Sequence, residues 1–148
     1  MTLARWIASG GGIGHVPAAP GTVASLAALA IGTVAFWLNP HLLIWLAIVS
    51  TLIGTWAIHA TKEQNDPGWI VIDEFAGQWI ALLGLTHLSL YGLIAAFALF
   101  RFLDITKLGP VGWADRKQGA IAVMADDVVA GVIVAAVLFI AENLFPRL

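Results

Sequence analysis

Apolar residues run along this chain in blocks separated by short polar interruptions. The blocks extend from about Val23 to Trp37, Leu42 to Ala60, Ile70 to Leu85, Leu90 to Phe102 and Asp126 to Phe145. A helix crossing a hydrocarbon core about 30 Å thick needs ~20 apolar residues. The pattern therefore predicts an all-α, polytopic membrane helix bundle of about five short transmembrane helices. The interruptions carry turn chemistry: Asn39-Pro40-His41, the polar loop Thr61–Trp69, Gly84–Ser89, and a Gly- and Pro-containing loop after Lys107. Before the first block, Leu3–Ser9 reads as a short interfacial helix from which Arg5 reaches the headgroups. The Gly- and Pro-rich stretch Gly10–Thr22 belongs in water or in a protein-lined cavity. There Pro20-Gly21 reads as a turn and Thr22 as a helix N-cap.

Composition agrees with this pattern. Of 148 residues, 60% are hydrophobic and 11% charged, against about 45–50% and about 25% in soluble domains. The chain reads as one integral membrane domain, 1–148, with an N-terminal segment over 1–21 and a charged region over 101–131. No signal peptide is legible, so the N-terminus reads as mature protein. A net charge of −2 with scattered basic residues excludes a nucleic-acid surface. The absence of cysteine excludes disulfides, thiolate metal sites and thiol nucleophiles. Trp37, Trp69 and Trp113 lie near block ends, where indole rings favour the lipid–water interface. The sequence sets no oligomeric state.

Charge gives the orientation. In a five-span topology Arg5, Lys62, Arg101, Lys107, Arg116 and Lys117 fall on one side and Arg147 on the other. The positive-inside rule makes the first side cytoplasmic. Glu63, Asp66, Asp73, Glu74, Asp104, Asp115, Asp126 and Asp127 lie on that side too, and Glu142 alone lies opposite. A polar site is thus expected at the cytoplasmic surface.

Two adjacent acid pairs, Asp73-Glu74 and Asp126-Asp127, are placed at the starts of two different helices. Adjacent acids at a helix start also complement the helix dipole. Brought together, however, the pairs would raise at least one pKa sharply unless a cation lay between them. An all-oxygen donor set favours a hard ion, Mg²⁺ first and Mn²⁺ or Ca²⁺ behind it. This makes Asp73, Glu74, Asp126 and Asp127 candidate metal ligands. Arg101, Asp104 and Lys107, spaced by three, form a polar stripe if their helix persists. Arg101, Lys107 and Arg116 would neutralise a phosphate, with Asp104 holding one of them. The approach to the first helix, Gly21-Thr22, offers unpaired backbone N–H groups to the same phosphate. Lys117 reads as a topology anchor. Gly77 and Gly131 read as close helix packing, and His15 is the one histidine beside the site.

The stretches PAAPGTVASLAAL, IVIDEFAGQWIAL, FRFLDITK, the pair Asp115-Arg116 and MADDVVAG, in this order, resemble the bacterial phosphatidylglycerophosphatase A family. The chain departs from that pattern at Lys107-Leu108-Gly109-Pro110 and at Gly119-Ala120-Ile121-Ala122. The resemblance implies a Mg²⁺-dependent lipid phosphatase of the bacterial inner membrane with its active site facing the cytoplasm. Its substrate would be phosphatidylglycerophosphate and its products phosphatidylglycerol and phosphate. Asp127, Arg101, Lys107 and Asp104 are then the catalytic candidates, and Gly21, Thr22 and Arg116 the phosphate-binding ones. Attack by water and attack by a carboxylate such as Asp127 both remain open. The alternative from another class is a small ion- or proton-coupled transporter using the same carboxylates.

Overall fold

The computed structural model describes residues 1–63, 67–116 and 119–145. Asp66, Lys117 and Arg147, which carry part of the charge asymmetry, lie outside the described residues. Among those residues the chain is all-helical. Its elements are α1 (Leu3–Ala8), a 3-10 turn (Ile13–His15), α2 (Pro20–Leu38), α3 (Pro40–Thr61), α4 (Ile72–Leu82), α5 (Leu90–Thr106), α6 (Pro110–Asp115) and α7 (Ala120–Leu144).

Several boundaries differ from expectation for local reasons. Pro20-Gly21 is not a turn, and Thr22 is not the N-cap of α2. The helix begins at Pro20, with Ala19 as N-cap at φ 47°. Proline suits the first helical position because its φ is already helical and its missing N–H would have no helical partner. The acid pair Asp126-Asp127 does not start the last helix, because the apolar run Ala120–Met124 extends α7 backwards to Gly119 at φ 95°. The loop after Lys107 contains α6, again opened by a proline, Pro110.

α2, α3 and α7 are long and apolar enough to cross a membrane. Among the described residues the five expected spans thus yield three helices of membrane length. α5 has 17 residues, and α4 has only 11, a rise of about 16 Å.

α2 and most of α3 bury small residues and expose large ones. α2 buries Ala24, Ser25, Ala28, Gly32 and Ala35, while Leu26, Ile31, Val34, Trp37 and Leu38 point outward. α3 buries Ala47, Ser50, Gly54 and Ala57 among others and exposes Trp45, Leu52 and Trp56. Small residues let helix backbones approach in lipid, where apolar exterior surface carries no cost.

The short α4 is the axis of this packing and touches α2, α3, α5 and α7. Glycines set its distances. A Cβ on Gly77 would meet the Phe100 ring and the Asp127 carbonyl oxygen, and one on Gly131 would meet the Gly77 carbonyl oxygen. The reading of both glycines as packing positions therefore holds. Gly32 of α2 makes room for Trp79 and Leu82, and the Trp79 indole donates to the Ala28 carbonyl at 2.7 Å.

Candidate active site

Three helices bring their acids to one end of the bundle. α4 contributes Asp73 and Glu74 in its first turn, α5 contributes Asp104 near its C-terminus, and α7 contributes Asp126 and Asp127. The start of α4 is fixed from outside: the Val71 N–H donates to the Ala8 carbonyl at 2.9 Å, so α1 pins the entry to the acid turn. The Gly77–Gly131 crossing then draws α7 close enough for its acids to meet those of α4. Two groups result, Asp73–Glu74–Asp127 and Asp104–Asp126–Asp127, each with one carboxylate oxygen per residue within 4.8 Å of the others. Asp127 belongs to both. Asp73, Asp104, Asp126 and Asp127 are all buried.

Two cations are built into the cluster. Arg101 pairs with Asp104 and lies 3.8 Å from Glu74. It also donates to the Ser25 hydroxyl at 3.5 Å. Lys107 caps α5 in the left-handed region, at φ 50°, which turns its side chain inward. Its ammonium bonds Asp104 at 2.8 Å and Asp126, and Asp115 of α6 lies 3.8 Å away. Burial alone would lower the Lys107 pKa. The Asp104 carboxylate, with hydrogen bonds to Asp104 and Asp126, outweighs burial and holds the ammonium well above the usual lysine range. Asp104 therefore holds both cations, where the sequence suggested one.

The predicted phosphate-binding residues divide. Gly21 lies against the site, since a Cβ there would run into the Glu74 carboxylate and approach Arg101 to 3.3 Å. The N-cap Ala19 makes no side-chain bond to the first turn of α2, and N–H groups at a helix start, such as those of Gly21 and Thr22, have no partner within the helix. Arg116 is exposed and forms no ion pair among the described residues; the structure does not draw it into the cluster. His15 is exposed and stacks on Trp69 at 6.0 Å rather than joining the acids. Ser25 and Gln78 are not among the site residues expected from the sequence. Ser25 donates to the Gly21 carbonyl at 2.9 Å while receiving Arg101. Gln78, one turn beyond Glu74, is fully buried, and neither amide atom has a hydrogen-bond partner. A glutamine inside an apolar block was the available signal for it.

The residues fit a hard divalent ion. Every donor is a carboxylate oxygen, and the Asp127 Oδ1 atom is buried without a hydrogen-bond partner, an arrangement that a cation relieves. The two groups differ in how they are occupied. Lys107 already bonds both Asp104 and Asp126 and would compete with an ion there. In the group Asp73–Glu74–Asp127 the basic neighbour is Arg101, 3.8 Å from Glu74, a longer approach than those of Lys107 to Asp104 and Asp126.

Residues 6–142 match the family described as Phosphatidylglycerophosphatase A. Among curated proteins, the chain is 37% identical to a Phosphatidylglycerophosphatase A of Escherichia coli (strain K12), covering 95% of this chain and 84% of the relative. It is 36% identical to one of Haemophilus influenzae, covering 90% and 85%. It is also 38% identical to a Putative phosphatidylinositol-3-phosphatase of Bacteroides thetaiotaomicron, covering 85% of each. No solved structure matches the chain.

Proposed function

Because the chain belongs to the phosphatidylglycerophosphatase A family, and is a phosphatase, we propose that it hydrolyses the terminal phosphomonoester of phosphatidylglycerophosphate with Mg²⁺. The observation that carries this reading is the buried acid cluster, joined through Asp127 and interleaved with Arg101 and Lys107, inside the segment that matches the family. The transporter alternative draws no support from these relatives.

In this reading Asp73, Glu74 and Asp127 hold the ion. When bound, it supplies a fixed double positive charge beside the phosphate. Arg101, braced by Asp104 and Ser25, offers a planar fork to phosphate oxygens. Lys107, fixed by Asp104 and Asp126, adds a point charge that persists at neutral pH. The Gly21 and Thr22 N–H groups bind a further oxygen, and the missing Cβ of Gly21 lets the Glu74 carboxylate lie against that edge. Placing the cluster at one end of the bundle lets the acyl chains stay in the leaflet while the headgroup enters. The same reading puts the site at the cytoplasmic face of the bacterial inner membrane.

The test is phosphate release from phosphatidylglycerophosphate by detergent-purified protein. Release is expected with Mg²⁺ and is expected to stop with EDTA. Asp73→Asn and Asp127→Asn should each lower kcat by at least about 10²-fold, the scale of losing one electrostatic group at a reacting phosphate. Full activity in EDTA, or in both variants, would overturn the metal assignment. The Bacteroides relative favours a second substrate reading, so phosphatidylinositol 3-phosphate belongs in the same assay. Faster turnover of that lipid would transfer the assignment to it.

A further inference from the structure

At the end of α7 remote from the acid cluster stands another buried acid, Glu142, only 8% exposed. It lies sixteen residues beyond Asp126 on α7, about 24 Å along the axis. Its two oxygens have different surroundings. Oε2 accepts from the Thr86 N–H at 2.6 Å and from the Thr86 hydroxyl at 2.5 Å, and the His87 ring lies 3.6 Å away. Oε1 is buried and has no hydrogen-bond partner. Glu142 also lines a cavity of about 310 Å³ with Tyr91, Gly92 and Ala95 of α5 and Leu138 and Ala141 of α7. Gly92 packs against this carboxylate, since an added Cβ there would touch Oε1 at 3.7 Å and press on Leu85 at 2.9 Å.

Clamping the α4–α5 connection uses one oxygen only. A carboxylate oxygen sealed from water in an apolar helix is costly without a donor. Among the described residues only half-exposed His87 pairs with Glu142, and it does so on the other oxygen. The missing partner must therefore donate hydrogen bonds, and a positive charge complements the site. It must also carry apolar groups past Ala95, Leu138 and Ala141, between helices whose outer faces expose Ile94, Val137 and Leu144. We propose that this cavity is a second lipid site, taking the primary ammonium headgroup of an aminophospholipid, with the ammonium donating to the Glu142 carboxylate.

The site is separate from the phosphatase reaction, so that activity serves as a folding control. The experiment measures lipid binding to the full-length, detergent-solubilised protein by native mass spectrometry and by the thermal unfolding midpoint. The probes are phosphatidylethanolamine, phosphatidylcholine with the same acyl chains, and free ethanolamine. The quaternary choline group carries the same charge but has no N–H to donate. Phosphatidylethanolamine should bind about tenfold more tightly than phosphatidylcholine, as expected for a charge-assisted hydrogen bond. Glu142→Gln should reduce that ratio to near one. Ala95→Leu fills the cavity without touching the Thr86–Glu142 bonds and should do the same, which keeps the test decisive if Glu142→Gln does not fold. Equal binding of the two lipids by wild type, or a preference that survives in Ala95→Leu, would overturn the proposal. So would free ethanolamine that raises the midpoint as much as the lipid does.

Discussion

Lys107 shows how single residues in this site are specified. A non-glycine residue in the left-handed region costs roughly 1–2 kcal/mol, yet that geometry at the end of α5 points the ammonium at Asp104 and Asp126. Its raised pKa has a definite sign in pH terms. A group whose folded pKa lies above its unfolded value contributes stability that is fully present below the unfolded value, near pH 10 for lysine, and lost as pH rises through the folded one. Lys107 therefore contributes no basic limb to the pH–rate profile below about pH 10. Lys107→Arg, which cannot deprotonate in this range, should give a profile parallel to wild type between about pH 7 and 9.5. A basic limb present in wild type and absent in the variant would contradict this assignment. Asp127 is specified by position: it alone belongs to both acid groups, so its removal disturbs both.

Among the elements, the α4–α7 crossing matters most, because it joins the two halves of the acid cluster. Gly77 and Gly131 face each other there, with no space for a side chain. Gly77→Val or Gly131→Val should destabilise the protein by about 1–3 kcal/mol through overpacking. Either should also lower phosphatase activity by separating Asp73 and Glu74 from Asp127. Gly68 has nothing within 4 Å of a Cβ and no positive φ, so Gly68→Ala should stay within about 0.5 kcal/mol of wild type. Thermal unfolding in detergent, read beside activity, checks both. Valine at Gly77 or Gly131 with unchanged midpoint and rate would show that the crossing is looser than the backbone distances require.

For the whole molecule, the issue is how a chain whose α2, α3 and α7 have membrane length presents a polar site at one end. α2 and α4 run in the same direction, since Gly21 meets Glu74 at one end and Gly32 meets Leu82 at the other. α5 runs against them, with Arg101 beside Glu74 and Gly92 beside Leu85. The charged end therefore collects the start of α2, the start of α4, the end of α5 and the first turns of α7. The native chain has no cysteine, so single cysteines give a clean topology test. Cysteines at Glu63 and Arg116 should react with a membrane-impermeant maleimide from the cytoplasmic side only. Cysteines at Asn39 and His87 should react only from the other side. Labelling of both pairs from one side would overturn the proposed topology.

The apolar blocks made the helical class and the membrane setting legible, because the demand for hydrocarbon surface is written into local composition. Leu3–Ala8, most of α2 and α3, and the persistence of α5 through Asp104 followed from the same local rules. The paired acids and the Arg101–Asp104–Lys107 spacing marked the site for the same reason: charges are conspicuous in an apolar chain. Other features depended on which helices cross and where. The sharing of Asp127 between two acid groups falls in that class. So do the capture of both cations by Asp104, the exclusion of Arg116 and the half-satisfied carboxylate of Glu142. None of these is a property of a segment taken alone. Each depends on backbones brought together at Gly77, Gly131 and Gly21, and close approach between distant segments has no local signature beyond the absence of a side chain.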